Sequence, residues 1–210
     1  MTNPWLDIAV DDYVGHMASP DVGQYQVLNR LLGEILRTVR PRNVLVLGCS
    51  TGNGFEHIDP AVTSRVVGVD INSAYLQRLV ERLPHPAFRL ELQCTDLAEC
   101  AFEAEAFDLV HAPLVFEYVE WPRLLPRIVG TLKSDGVLSV VLQLPSRLSA
   151  AVTLTRFTSL QALESVFRFV EPAEFIAAAA ECGLPLEWRR SEQLNAGKAF
   201  AVLGFRKGAV

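Results

Sequence analysis

Glycines are concentrated in one segment, from Val44 to Gly54, directly after a short run of apolar residues. Glycine permits positive φ and leaves room for a ligand to approach the main chain. We expect a helix to follow, and the first N–H groups of a helix lack partners and can bind an anionic or carbonyl-rich group. The segment therefore indicates a turn that binds a nucleotide-like ligand. A glycine-rich turn that binds nothing is the alternative interpretation.

A carboxylate follows the next apolar run, because Asp70 comes directly after residues 66–69. A carboxylate at the end of this predicted strand can accept hydrogen bonds from both hydroxyls of a ribose. The alternative is a plain N-cap for the next helix, although Asn72 or Ser73 can supply that cap. We favour the ribose role.

A second carboxylate occupies a similar place after the third predicted strand, in Thr95-Asp96-Leu97. Asp96 can accept a hydrogen bond from an adenine amino group while Leu97 packs on the ring. Aspartate is common in turns, so this feature is weak alone. This feature becomes more informative because it follows the glycine-rich turn and Asp70 in chain order.

The segments that carry these residues alternate between predicted strands and helices, a pattern typical of parallel strands joined by crossover helices. The predicted strands are 44–47, 66–69, 88–92, 107–111, 137–142, 186–190 and 199–205, and the predicted helices are 22–39, 72–83, 123–132, 172–183 and most of 145–170. Thr158 and Gln161 have capping-box spacing, and Asn195 and Gly197 favour a hairpin between the last strands. The sequence thus predicts an α/β Rossmann-like three-layer sandwich with a mostly parallel seven-stranded sheet and an antiparallel last strand.

Composition points to one domain, since half of the 210 residues are hydrophobic and the formal net charge is -5 with no basic block. This balance argues against a surface for duplex nucleic acid. Four cysteines without metal-ligand spacing indicate a reducing compartment. Residues 1–12 do not resemble a secretory signal, and no apolar run is long enough to cross a bilayer. We predict a cytoplasmic domain with a helical leader or lid (1–40) and a helical cap segment (145–171), and leave its oligomeric state open.

The run from Val44 to about Leu142 resembles the core of class I S-adenosylmethionine-dependent methyltransferases. Beyond the three features above, Phe102, residues 107–110 and residues 132–136 stand in the family's order and at similar spacing. The terminal hairpin also fits the family's reversed seventh strand. The resemblance implies a transferase that binds S-adenosylmethionine.

The resemblance also implies roles for individual residues. Gly48, Cys49, Ser50 and Gly52 would line the methionine portion of the cofactor, Gly54 would let the following helix pack closely, Asp70 and Ile71 would hold the ribose and flank the adenine, Thr95, Asp96 and Leu97 would hold the adenine, and His111 would lie near the sulfonium.

Two positions depart from the family pattern. The family often has an acid where this chain has Val46, and glycine where it has Ser50. Loss of the acid removes a partner for the methionine ammonium or its bound water. Ser50 would crowd the turn if its φ is positive, although its hydroxyl can also donate to the ligand.

Residues for the methyl acceptor are harder to identify, because methyl transfer chiefly requires alignment of nucleophile, methyl and sulfur. His111 and Glu117 are candidate catalytic residues, and Tyr13, His16 and Tyr118 are candidate substrate-binding residues. Each has a structural alternative: a hydrogen-bonded strand end, a solvated helix face, a core aromatic or a surface residue. We expect the leader and residues 145–170 to fold over the cofactor as a lid.

The sequence disfavours several acceptor classes. His111-Ala112-Pro113-Leu114 replaces the motif typical of enzymes that methylate base amino groups, no Pro-Cys pair is present to attack a pyrimidine, and no carboxylate set suggests a metal site. A small molecule or a protein side chain remains, and we predict a small molecule.

Two other functions compete with methyl transfer. An NAD- or FAD-dependent oxidoreductase also uses a glycine-rich turn and an acid after the second strand. Here the spacing Gly48-x-x-x-Gly52-x-Gly54 differs from the dinucleotide pattern. A non-catalytic S-adenosylmethionine-binding regulatory module is the other alternative.

Overall fold

A seven-stranded sheet forms the centre of the protein in a computed structural model that describes residues 3–194 and 197–208. Its strands are β1 (Asn43–Leu47), β2 (Arg65–Asp70), β3 (Arg89–Cys94), β4 (Phe107–Pro113), β5 (Leu132–Gln143), β6 (Leu186–Gln193) and β7 (Ala199–Arg206). They lie in the order β3-β2-β1-β4-β5-β7-β6. Strand β7 pairs antiparallel with both β5 and β6, and the other pairs of neighbouring strands in this sheet are parallel. The predicted fold is confirmed; Asn195, part of the predicted hairpin turn, lies outside the described residues.

Five α-helices surround this sheet in the described part of the chain. They are α1 (Val10–Ala18), α2 (Gln24–Val39), α3 (Ser73–Arg82), α4 (Trp121–Thr131) and α5 (Pro172–Glu181). Helices α2 and α3 bury apolar side chains on one face of the sheet, and α4 and α5 do so on the other. The sheet is therefore covered on both faces, as parallel sheets require.

Strand β1 shows how the sequence specifies these two layers. Leu45 and Leu47 join the core on the α4–α5 face, while Val44 and Val46 join the core on the α2–α3 face. Alternate residues of a strand point to opposite faces, so a continuous apolar run suits a doubly covered strand. Each such buried side chain stabilises the fold by about 1.5–3 kcal/mol.

No α-helix directly follows the glycine-rich turn, although the sequence predicted a helix there. A short 3-10 helix, Phe55–His57, takes its place. Gly52 and Gly54 adopt φ of 74° and 87°, which a right-handed helix does not allow. The glycines that make the turn thus prevent the helix from beginning there, and this prediction was wrong.

Residues 145–170 are also less helical than predicted. Their one regular element is a 3-10 helix, Thr158–Ser165, and no side chain caps it, so the capping box does not form. The hydroxyls of Ser146 and Thr155 instead accept hydrogen bonds from main-chain N–H groups two residues later. Such local bonds compete with helix formation.

The leader packs against this cap segment. Ile8 and Tyr13 share an apolar cluster with Val152, Leu160 and Leu163. A Cβ on Gly15 of α1 would overlap the ring of Phe157, so glycine is needed for this close approach. None of the described helices is both long and apolar enough to cross a bilayer.

Candidate functional site

One cavity of about 370 Å³ lies at the carboxyl ends of β1, β2, β3 and β4. The three sequence features meet on its wall, which includes Gly48, Cys49, Ser50, Asp70, Ile71, Thr95, Asp96, Leu97 and His111. Parallel strands bring successive strand ends to the same edge of a sheet, which explains this convergence. A cavity of this size accommodates a small-molecule ligand.

The turn after β1 is held against the end of β2 by its own main chain. Gly48 N and Cys49 N both donate to the carbonyl oxygen of Val69, at 2.8 and 3.1 Å. Gly48 has a φ of 65°, and a Cβ there would lie 3.2 Å from Cγ2 of Val115. Glycine is therefore required both for the turn and for the narrow space beside the cavity.

Asp70 connects this turn to the segment after β2. Its Oδ2 accepts from the N–H of Ser50 at 2.8 Å, and its Oδ1 accepts from the N–H of Asn72 at 2.9 Å. Burial raises the pKa of Asp70 to about 6, although these N–H groups oppose the shift. The cap of α3 is the side chain of Asn72, which accepts from Ala74 N and Tyr75 N. Asp70 is therefore not the helix cap, and it also lines the cavity.

Asp96 and Leu97 follow β3, the strand next to β2, and line the same cavity as Asp70. Asp96 is partly exposed, and its Oδ1 accepts from Ala98 N at 2.9 Å. Thr95 N donates to the carbonyl of Asp70 at 3.0 Å, which joins this turn to the end of β2. Leu97 is buried at 7% exposure and offers an apolar surface to a ring.

Ser50 has the strained conformation that the sequence raised as a concern. Its φ is 48°, a region that costs a non-glycine residue about 1 kcal/mol. Its hydroxyl accepts from Thr51 N at 2.6 Å and lies beside the Tyr13 side chain of the leader. The bond to Thr51 N offsets part of the strain in the turn.

Gly52 and Gly54, both predicted near the cofactor, lie off the cavity wall. A Cβ on Gly52 would lie 2.8 Å from Cγ of Leu79, and one on Gly54 would lie 3.1 Å from Cδ2 of Leu32. These glycines let the turn pack against α3 and α2. No α-helix begins at Gly54, so the predicted packing role for a following helix was wrong.

His111 lies on the wall, opposite Val46 of β1 in the strand register. It stands within β4, which continues to Pro113 and not, as predicted, only to His111. Its Nδ1 is 3.1 Å from Oγ of Ser139, and the ring is only 2% exposed. Burial lowers the pKa of His111 to about 4, so the imidazole is neutral at physiological pH. Val46 also lines the cavity and offers no charge there.

Glu117, the other candidate catalytic residue, points away from the cavity wall. Its Oε1 accepts from Gln143 N at 2.7 Å, while its Oε2 has no partner among the described residues. The side chain is 1% exposed, and burial raises the pKa of Glu117 to about 7. It is therefore neither a solvated helix face nor in line with the cofactor residues.

The candidate substrate residues separate into two groups. Tyr13 and Tyr118 line the cavity, and Trp5 packs edge-on against both rings. His16 is buried off the wall, where its Nδ1 lies 3.0 Å from Oγ1 of Thr155. It is thus a buried rather than a surface residue.

Several wall residues were missed from the sequence. They include Trp5, Met17, Gln24, Leu28, Tyr75, Leu114 and Val115. Trp5 belongs to the predicted leader, whose contact with the cavity depends on how it docks. Leu28 lies within the predicted helix 22–39, and periodicity alone does not distinguish a residue of the core from one of a cavity wall.

The cavity fits an adenosyl ligand in three respects. The Tyr75 hydroxyl is buried and has no hydrogen-bond partner within the described chain, which leaves a polar group for a ligand to satisfy. Asp70 provides an acceptor for paired hydroxyls, and Gly48 leaves the main chain open. Within residues 3–194 and 197–208, no group of three or more His, Cys, Asp or Glu side chains is arranged for a metal ion.

The sequence of the site segment matches a known family. Residues 44–136 match the family model described as a methyltransferase domain. Together with the sheet order and the convergent strand ends, this match confirms the predicted resemblance of this segment to class I S-adenosylmethionine-dependent methyltransferases.

A curated relative covers a similar portion of the chain. Trans-aconitate 2-methyltransferase from Methylobacterium radiotolerans is 35% identical over 111 residues, which are 52% of this chain and 40% of the relative. The chain thus spans about 40% of that relative's length.

Solved structures extend the fold likeness to nearly the whole chain. The N-methyltransferase NodS from Bradyrhizobium japonicum WM9, in complex with S-adenosyl-L-homocysteine, has a TM-score of 0.70 and 18% identity over 98% of this chain and 99% of NodS. The [4+2]-cyclase SpnF has a TM-score of 0.67 and 13% identity over 88% and 83%. At these identities the likeness shows the fold alone, and the fold serves more than one named activity.

Proposed function

We propose that this chain is an S-adenosylmethionine-dependent methyltransferase that acts on a small-molecule acceptor. The observation that carries the proposal is the convergence of Gly48–Ser50, Asp70 and Asp96 on one cavity of about 370 Å³. The methyltransferase-domain match over residues 44–136 supports it, as does a curated relative named for the methylation of a small polycarboxylate. The cytoplasmic location and the absence of nucleic-acid partners stay predictions.

The roles proposed for the cofactor residues follow from their chemistry. The Asp70 carboxylate would accept from the ribose hydroxyls, and Asp96 with Leu97 would hold the adenine. The turn at Gly48 would let the methionine portion lie against the main chain. Bound S-adenosylmethionine supplies an electrophilic methyl group.

His111 is suited to orient the acceptor rather than to ionise. A neutral imidazole can donate or accept a hydrogen bond at Nε2, and the contact of Nδ1 with Ser139 fixes the ring. Since the pKa of His111 is about 4, it is a weak general base at physiological pH. Alignment of the nucleophile would then provide most of the rate acceleration.

Geometry does not favour Glu117 as a base. A general base must come within hydrogen-bond reach of the proton that it removes. The carboxylate of Glu117 is directed to the main chain at the end of β5. We therefore assign Glu117 to the structure beneath the acceptor region rather than to the reaction.

The placement of the glycines argues against an oxidoreductase. In a dinucleotide-binding fingerprint the later glycines bring the pyrophosphate and a helix start together. Here Gly52 and Gly54 pack against Leu79 and Leu32, and no α-helix begins at the turn.

Calorimetry with S-adenosylmethionine, S-adenosylhomocysteine and NAD tests the proposal, followed by mass spectrometry of methylated products from an acceptor panel. We expect both sulfur ligands to bind and NAD not to bind. Binding of NAD without either sulfur ligand would refute the proposal. Binding of the sulfur ligands without turnover of any acceptor would favour a regulatory module instead.

A further inference from the structure

The acceptor part of the cavity is made chiefly of apolar side chains. Beyond the cofactor residues, the wall includes Trp5, Met17, Leu28, Leu114 and Tyr118. Met17 is 8% exposed, and Leu28 and Leu114 pack against a common apolar cluster. An acceptor entering this space exchanges water for rings and aliphatic chains.

The charges on the wall have one sign. No lysine or arginine belongs to the wall in the described part of the chain, and its acidic residues are Asp70, Asp96 and Glu120. His111, the histidine on the wall, is neutral because burial lowers its pKa to about 4. An anion placed here would lose its hydration and find no cationic side chain to pair with, while carboxylates share the wall.

Two cationic side chains near the cavity do not change this charge balance, because both are bonded to main-chain carbonyls. Nζ of Lys198 donates to the carbonyl of Ala151 at 2.7 Å, and Nη1 of Arg82 donates to the carbonyl of Thr51 at 2.7 Å. Neither residue belongs to the cavity wall. Reaching either would require the surrounding side chains to move.

We propose that the methyl acceptor is an uncharged, mostly apolar small molecule that carries one nucleophilic oxygen, nitrogen or sulfur atom, and that polycarboxylates are excluded. This inference rests on the proposed function and specifies its substrate class. The proposed acceptor differs from trans-aconitate, the tricarboxylate for which the curated relative is named.

Matched neutral and anionic probes test the proposal on the protein saturated with S-adenosylhomocysteine. The pairs are 2-naphthol with 2-naphthoate, and the trimethyl ester of trans-aconitate with trans-aconitate itself. We expect 2-naphthol to bind at least about tenfold more tightly than 2-naphthoate, and trans-aconitate not to bind at millimolar concentration. Equal or tighter binding of either anion, or no binding of 2-naphthol at millimolar concentration, would refute the proposal.

A variant with a new cation sharpens the test. Leu28→Arg places a guanidinium on the wall, and Leu28→Met is the matched apolar control. We expect Leu28→Arg to raise 2-naphthoate affinity by about tenfold and Leu28→Met to leave it unchanged. An unchanged naphthoate affinity in a folded Leu28→Arg protein would contradict the charge argument. If the unmodified protein does not bind S-adenosylhomocysteine at all, the proposed function itself is refuted.

Discussion

The two halves of the cavity are built in different ways. The cofactor half consists of turns that follow parallel strands, and main-chain hydrogen bonds such as Gly48 N to Val69 O fix it in the sheet. The acceptor half consists of side chains from the leader, α2 and residues 114–120. Sheet register therefore determines the first half, whereas the docking of separate segments determines the second. Ligand affinity and acceptor choice should respond to different substitutions.

The largest expected effect is in the cofactor half. Asp70→Asn removes the negative charge that would accept from two ribose hydroxyls, while it keeps an oxygen for Ser50 N. We expect S-adenosylhomocysteine affinity to fall about 100-fold, since hydrogen bonds to charged groups are the stronger ones. Calorimetry measures this change. Asp21→Asn on the exposed surface is the control and should leave the affinity unaltered.

Beneath the acceptor half, Glu117 should influence stability rather than cofactor binding. Burial raises its pKa from 4.5 to about 7, so the neutral form is favoured in the folded protein. The stability due to this group is present below its unfolded pKa and is lost as pH rises through 7. We expect the free energy of unfolding to fall by about 2 kcal/mol between about pH 5 and pH 8.

Urea unfolding of Glu117→Gln checks this expectation, because glutamine cannot ionise and its carbonyl can still accept from Gln143 N. The variant should lose that part of the pH slope. Glu120→Gln, at an exposed neighbouring position, should retain it. Identical slopes for the Glu117 variant and the unmodified protein would show that Glu117 does not titrate in this range.

A smaller effect is expected on the pH dependence of S-adenosylhomocysteine binding in the cofactor half. The pKa of Asp70 is raised to about 6 in the free protein, and the ionised form is the one proposed to accept the ribose hydroxyls. Affinity for S-adenosylhomocysteine should therefore fall as pH drops below 6, by about tenfold per pH unit. In Asp70→Asn this dependence should disappear. A flat profile in the unmodified protein would argue against ribose binding by Asp70.

The smallest effect is expected where the two halves meet. Tyr13→Phe removes the hydroxyl that lies beside the Ser50 hydroxyl; loss of a hydrogen bond between them would cost about 1 kcal/mol, so S-adenosylhomocysteine affinity should fall about fivefold. Ser50→Ala removes the same bond from the other side. In a double-mutant cycle the two losses should not add. Full additivity would mean that the hydrogen bond does not couple leader and turn.

The convergence of these strand ends on one cavity could be predicted because local patterns determine it. An apolar run followed by Gly48, or by Asp70, identifies a strand end, and parallel topology brings the strand ends together. The error after Gly54 arose from expecting a helix in spite of glycines whose positive φ forbids one. The local sequence thus contained the information for the strand ends, and it also contained the glycines that should have ruled out the helix.

The acceptor half was less predictable because long-range packing forms it. Trp5 and Met17 reach the cavity only when the leader docks, and no local pattern encodes that docking. In residues 145–170 the helical interpretation failed because the hydroxyls of Ser146 and Thr155 bond to nearby main chain. The environment of Glu117 was also not predictable from local sequence, since its hydrogen-bond partner Gln143 is distant along the chain.

The reversed direction of β7 has a practical consequence for labelling the protein. Because β7 runs against the other strands, its end at Arg206 lies at the sheet edge opposite the cavity. Asn3 and Trp5, in contrast, lie on the cavity wall. An affinity tag or fluorophore attached after β7 is therefore remote from bound ligands, whereas one fused ahead of Asn3 would stand at the cavity and perturb the titrations.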